Sequence, residues 1–506
     1  MALAAATLSA LPALAADWLQ LESAHFTVTT NGPEEQSRSY LEKLEAFRTM
    51  SMNLLGADAN SARAQAKFNI FLLRRRFSLK KVRPEFSENV VGVYCNCVEG
   101  STAYTTMEDA LQRHDIDTAL EHLFHEYAHH LMFQYGRIGY PNWYVEGFAE
   151  FLATAIIQKD NILLGQISVD RAGYLKYGDW LPFKKMLASN SYFGSRNSNA
   201  VEGAAFYAQS WLLAHYMLTD SERAKGFNAY FERLSAGEDA LAAFEPATGI
   251  PLDSLQSRLR TYSYEMQAYR LTLPPQASPV ISVKKLADGA DDYVLLASVL
   301  KTCPTEAHGK TVLAQLRTRA ANEPAQPDEL RLALARAEIL YGDTTAAMKS
   351  LETPLPEEAS FELHYLRGRA LMKTAEGLQG EAAKEPISQA GKEFLAAYRL
   401  KKIDAANLFF LAKSLSVDGI GNNALNAARG ARALAPSVAP YAAQEALMDL
   451  QVDDRERAAR ALLPLTFDPH QPEQAVRVRR AIDAIKANAS TQDVDRILQG
   501  QDAAKP

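Results

Sequence analysis

The sequence predicts an α+β fold followed by an all-α region, and three observations carry that expectation. Alternating, β-branched segments gather in the first hundred or so residues. Helical periodicity takes over from about residue 115. Beyond about residue 280 the chain turns Ala- and Leu-rich, with no strand signal left. At 506 residues the chain exceeds one ordinary core, so two or three domains are expected. A hydrophobic fraction of 47% and a charged fraction of 23% suit soluble globular protein. Lys+Arg 54 against Asp+Glu 60 gives a net charge of -6, with no basic excess for nucleic acid, which is set aside as a partner.

Residues 2–16, ALAAATLSALPALAA, form an apolar run closed by Asp17. Ala13-Leu14-Ala15 supplies the small-x-small pattern of a cleavage site, although no Lys or Arg precedes the run. Residues 1–16 are therefore expected to be a signal peptide, and the protein exported, periplasmic or secreted. The run is too short to span a bilayer, and no other stretch approaches about twenty apolar residues. No transmembrane segment is expected in the mature chain.

His25 to Thr30 alternates as a strand does, and Asn31-Gly32-Pro33 breaks it. Tyr40, Leu41, Leu44, Phe47 and Met50 then recur at helical spacing. Phe68 to Leu73 is a second strand. Val90 to Tyr94 and Ser101 to Thr106 are two more, separated by Glu99-Gly100. A helix opens near Asp115. This order places a small sheet ahead of helices.

In the C-terminal region, Leu411, Ala412, Gly419, Ala424, Ala428, Ala431 and Pro436 fall at the offsets of a tetratricopeptide repeat. Leu334, Ala335, Gly342, Ala347 and Leu351 occupy the same offsets earlier, with Pro354 where a small residue belongs. A degenerate unit between them holds Gly368, Phe394 and Ala397, its extra length assigned to a loop near residues 375–387. Small residues let paired helices cross closely, and glycine fits the turn between them. The division expected is residues 17–280, then repeats over 285–490, then a tail over 491–506. Lys284-Lys285 and Asp288 to Asp292 mark the boundary, and the two parts are expected to fold separately. Cys95, Cys97 and Cys303 read first as small buried residues. One disulfide with one thiol left over is the alternative.

The chemistry concentrates in His125-Glu126-Tyr127-Ala128-His129. On a helix, positions i and i+4 share a face, so both imidazoles can reach one metal ion. Glu126 beside them is placed to take a proton from water. Leu120, Leu123, Phe124, Tyr127, Ala128 and Leu131 make an apolar flank for that helix. Catalytic zinc usually has three protein ligands, and two His with one Glu is a known set. Glu146, seventeen positions beyond His129, is the third candidate. Gly136, Gly139 and Pro141 allow a second helix to start near Asn142 and fold back. Glu150, one turn later, shares the face of Glu146 and is expected to hydrogen-bond the outer nitrogen of a ligand His. His130 points away and reads as a packed or surface residue. Arg74-Arg75-Arg76 reads as a solvated strand end.

HEYAHH followed by WYVEGFAEF resembles the gluzincin metallopeptidases, in the segments shared by aminopeptidase N-type enzymes. The chain is also similar to exported peptidase MA-like proteins, which join such a core to helical repeats, and Trp18 to Val28 resembles their opening segment. The resemblance covers residues 18 to about 270. It implies His125, His129 and Glu146 as zinc ligands, one zinc per chain. It also implies Tyr207, in Phe206-Tyr207-Ala208-Gln209, as the hydrogen-bond donor to a tetrahedral oxyanion. Two departures stand out. The amine-anchoring Gly-x-Met-Glu-Asn segment is missing, with Gly100 to Tyr104 in its place, and the His129–Glu146 spacer is two residues shorter.

The function expected is peptide-bond hydrolysis by metal-activated water, with Glu126 as general base and a peptide or protein substrate. The strand at Ser101 to Thr106 would border the cleft and pair with substrate backbone. The repeats would bind a protein partner or hold substrate. Two alternatives are a weak or inactive zinc-binding repeat adaptor and a zinc hydrolase of a non-peptide bond.

Overall fold

A computed structural model describes residues 18–501 except 59–60, 62–64, 86–89, 91, 109–115, 136–139, 159, 168, 189–199, 237, 273–277, 287–289, 291–292, 324, 357–359 and 468–470. The expected signal peptide, Gly136, Gly139 and most of the Asp288–Asp292 stretch lie outside the described residues.

The chain opens with an antiparallel pair, β1 (Leu19–Glu22) and β2 (Phe26–Thr30). The predicted helix, α1 (Glu34–Leu54), crosses to β3 (Phe68–Leu73), which lies parallel to β2. After α2 (Leu79–Val82) come β4 (Gly92–Cys97) and β5 (Gly100–Thr106), then α3 (Ile116–Tyr135) and α4 (Asn142–Ala153). Short strands β6 (Ile156–Ile157) and β7 (Asn161–Leu164) precede α5 (Val169–Tyr177), α6 (Phe183–Ala188), α7 (Ala200–Leu218), α8 (Ser221–Ser235), α9 (Ala240–Thr248) and α10 (Leu252–Tyr262). β8 (Tyr269–Thr272) pairs with β7, and β9 (Ser282–Lys285) returns to β1. The rest is helical, as the composition predicts. It comprises α11 (Val294–Val299), α12 (Glu306–Ala321), α13 (Asp328–Tyr341), α14 (Thr344–Ser350), α15 (Ser360–Glu376) and α16 (Glu381–Leu400), followed by α17 (Ala405–Leu415), α18 (Asn422–Leu434), α19 (Ala439–Gln451), α20 (Arg455–Leu462), α21 (Pro472–Lys486) and α22 (Thr491–Leu498).

The main sheet has the order β4-β5-β3-β2-β1-β9. β2, β3 and β5 run parallel, while β4 is antiparallel to β5. The strand expected to border the cleft, β5, is therefore paired on both sides and has no edge to offer. Residues 98–99 turn the chain back, so β4 lies outside β5 and forms the sheet edge among the described strands.

Strand alternation sends side chains to two different cores. Phe68, Ile70 and Leu72 pack with Tyr40, Leu44 and Phe47 of α1 and with α3. Leu73 and Tyr104, from the opposite face, join a second core with Tyr293, Val299, Leu313 and Leu330 of the helical region. The sheet is thus covered on one side by its own helices and on the other by α11–α13. β9, at the expected domain boundary, is the outermost strand beside β1. Helical and sheet regions share this second core, so their packing is continuous.

Within the helical region Gly342 ends α13 just ahead of α14, and Gly419, with φ of +116°, turns α17 into α18. Gly368 lies under the ring of Phe394, where a Cβ would stand 2.5 Å away. The loop expected near 375–387 shrinks to residues 377–380: α15 ends at Glu376 and α16 begins at Glu381. The extra residues lengthen the helices instead, and Pro386 is accommodated near the start of α16. Thr491–Leu498, expected as tail, is a helix with Val494 buried. No helix among the described residues is long and apolar enough to cross a membrane.

Candidate metal centre

α3 carries His125, Glu126 and His129. Its predicted flank of Leu120, Leu123, Phe124, Tyr127, Ala128 and Leu131 is buried throughout. Phe124 stacks on Phe47 with ring centres 4.0 Å apart, and Tyr127 packs between Phe26 and Phe68. This packing fixes the helix's rotation, so the two imidazoles emerge together on another side.

α4 starts after Pro141, whose extended backbone cannot continue a helix upstream. Every residue from Asn142 to Ala153 is buried. At Gly147 an added Cβ would stand 2.3 Å from the carbonyl oxygen of Ser210 on α7. Glycine alone permits that approach, and the resulting contact sets the height of the preceding residue, Glu146.

The three predicted ligands meet. His129 Nε2 lies 3.0 Å from His125 Nε2 and 3.5 Å from Glu146 Oε2. His125 Nε2 lies 3.6 Å from the same oxygen. The group can hold a metal ion. His129 and Glu146 are buried, whereas the His125 side chain keeps 17% exposure and marks the open side. Burial alone would lower the His125 pKa. The carboxylates of Glu146, Glu150 and Glu126 outweigh burial and raise it to about 9. Surroundings that favour positive charge so strongly suit a cation.

Glu150 takes a different partner from the one expected. Its Oε1 lies 3.6 Å from His125 Nδ1, beyond a hydrogen bond. Instead it accepts from Arg171 of α5, at 2.9 Å from Nε and 2.7 Å from Nη2. A guanidinium offers two parallel N–H groups to a carboxylate, which an imidazole cannot match. The Arg171 guanidinium also lies over the ring of Tyr207, 5.1 Å from its centre. Tyr207 therefore belongs to the same neighbourhood, from the third turn of α7. Arg171 was not foreseen: it lies in no motif, and α5 is short.

His130 is a packed residue. Its ring lies against Phe68 and Tyr127, its Nδ1 is hydrogen-bonded to the Tyr94 hydroxyl at 3.1 Å, and burial pushes its pKa down to about 3. Arg74 and Arg75 are exposed beyond the end of β3, as expected. Cys97 and Cys303 form a disulfide with Cα atoms 6.1 Å apart, and Cys95 is the buried free thiol. The preferred reading of three buried thiols is thereby corrected. A separation of 206 residues hid the pair.

No protein-family model, curated protein or solved structure matches this chain.

Proposed function

We propose that the protein is a zinc metallopeptidase of gluzincin type, and one observation carries the reading. Two imidazole nitrogens and a carboxylate oxygen form a triangle with sides of 3.0, 3.5 and 3.6 Å. Ligands at ordinary zinc distances and tetrahedral angles stand about 3.3 Å apart, so the donor set and its spacing both suit zinc. Bound there, zinc supplies a Lewis acid that polarises a carbonyl and makes water acidic.

The chain's own residues supply the rest. Glu126 takes a proton from the attacking water and delivers it to the leaving amine. Tyr207 donates a hydrogen bond to the carbonyl oxygen as charge develops there. Arg171 holds the Glu150 carboxylate 3.6 Å from His125 Nδ1, where its charge favours a cation on the imidazole pair. The unpaired side of β4 offers backbone groups to an extended substrate, the role first expected of β5.

The disulfide and the apolar N-terminal run support an exported, oxidising location. The helical region is read as tetratricopeptide-like, supported by Gly342 and Gly419 in its turns and by Ala335, Ala347, Ala412, Ala428 and Ala431 buried between helices.

Metal analysis of the purified full chain after mild dialysis tests the reading, together with cleavage of a proteome-derived peptide library with and without chelator. About one zinc per chain and chelator-sensitive cleavage are expected. Protein that cannot be loaded with zinc refutes the proposal. Zinc-loaded protein without peptide cleavage points to the adaptor or to a non-peptide substrate.

A further inference from the structure

The tip of the β4–β5 hairpin sits in the helical region as a bound peptide would. Glu99, in the turn, keeps only 3% side-chain exposure. Its carboxylate accepts hydrogen bonds from Arg336 of α13, from Arg369 of α15 and, at 3.0 Å, from the Tyr365 hydroxyl. The Val98 carbonyl accepts from the Tyr441 hydroxyl of α19 at 2.7 Å. The Asn96 side-chain amide donates to both the carbonyl and the hydroxyl of Ser437, at 3.0 Å each. Three helices and the α18–α19 turn thus converge on four consecutive residues, and Cys97 among them is joined to Cys303.

A buried carboxylate gripped by two guanidiniums and a hydroxyl has the chemistry of a recognition site. Contacts to a main-chain carbonyl and a side-chain amide complete what a peptide groove provides. Here the occupant belongs to the same chain.

The same strand reaches the metal centre. Tyr94 of β4 is hydrogen-bonded to His130, the residue after His129. One turn on, the Gln134 side chain of α3 donates to the Leu434 carbonyl at the end of α18. β4 and the metal-ligand helix are therefore tied to the same stretch of the helical region. An edge strand of six residues, paired on one side, depends on such ties to stay in register.

We propose that the helical region is an intramolecular clamp, which takes a carboxylate-bearing turn of its own chain as ligand and thereby fixes β4 against the metal-ligand helix. The clamp is read from the contacts, while its bearing on turnover rests on the metallopeptidase reading. An outside protein can use the same groove only by displacing the hairpin.

Hydrogen exchange of the full chain, compared with Glu99→Gln, tests the clamp. Gln keeps the shape but removes the charge that the two guanidiniums grip. Amides of β4 and β5 should exchange about tenfold faster or more, while β2 and β3 keep their protection. Unchanged exchange in β4 of the folded variant overturns the proposal. Should Glu99→Gln fail to fold, Tyr441→Phe removes only the hydroxyl that holds Val98. A smaller acceleration at β4 then supports the clamp, and none overturns it. Neither readout needs turnover, so an inactive or zinc-free protein refutes the metallopeptidase reading while exchange alone decides the clamp.

Discussion

Glu99 and Glu146 are both buried glutamates, and both are met by nitrogen, yet they do opposite things. Glu99 meets Arg336 and Arg369, whose charge is permanent. Glu146 faces two imidazoles, at 3.5 and 3.6 Å, whose charge depends on protonation. A buried carboxylate requires compensation. At Glu99 the chain carries it, and the result is architecture. At Glu146 a bound cation fits, and the result is a candidate site. The surroundings of a buried acid, more than its burial, separate a structural group from a chemical one.

Substitutions can break or sharpen that contrast. The largest effect is expected at Glu126, which belongs to the chemical side alone. Glu126→Gln should lower peptide turnover by about 10²–10⁴-fold, with zinc content unchanged by metal analysis. Near-normal turnover would show that another group is the base.

Glu99→Ala belongs to the architectural side. Removing one partner of a buried ion pair costs about 3–5 kcal/mol, read as a lower denaturant midpoint. Loss below about 1 kcal/mol would mean that water reaches the two guanidiniums freely. The same pair has a pH signature. Burial pushes the Glu99 carboxyl up, but Arg336 and Arg369 overcome this and hold it at about 2, below its ordinary 4.5. Its contribution is thus complete above pH 4.5 and is lost as pH falls toward about 2. Glu362, held at about 2 beside Lys301 and Arg336, adds to the same window. Stability measured through that window should fall less steeply in Glu99→Gln than in the parent protein.

Glu150→Ala should weaken zinc binding by about 10–100-fold, and Glu146→Ala by more, since it removes a ligand. The reverse order would make Glu150 the ligand. The smallest effect is expected for Arg171→Lys. Lysine keeps the charge but loses the two-point grip on Glu150, so zinc should bind less than about tenfold more weakly.

What the sequence made legible follows from range. Phe68–Leu73 and Asn142 as a helix start were readable because alternation and the Gly/Pro break are local signals. The three candidate metal ligands could be read together because they lie on two helices adjacent in the chain. β1 escaped notice: it has four residues, and its outer partner β9, with Lys284 and Lys285, is charged and distant. β5 was misjudged as an edge because edge position depends on where β4 folds, which alternation does not encode. Glu99 looked like an ordinary turn residue, since the arginines that define it lie 237 and 270 positions later. Arg171 is the same case at the site, 21 positions from Glu150 without a motif between.

Those separations set an order of events during synthesis. Tyr441 follows Val98 by 343 positions. At roughly 5–20 residues per second, a chain takes on the order of twenty seconds to a minute to supply it. Both metal-ligand helices emerge well before that interval ends, but the groove that steadies β4 does not yet exist. β4 is then settled later than those two helices. A nascent or prematurely terminated chain would hold the three candidate ligands without a settled strand beside them, and the finished protein alone would carry both.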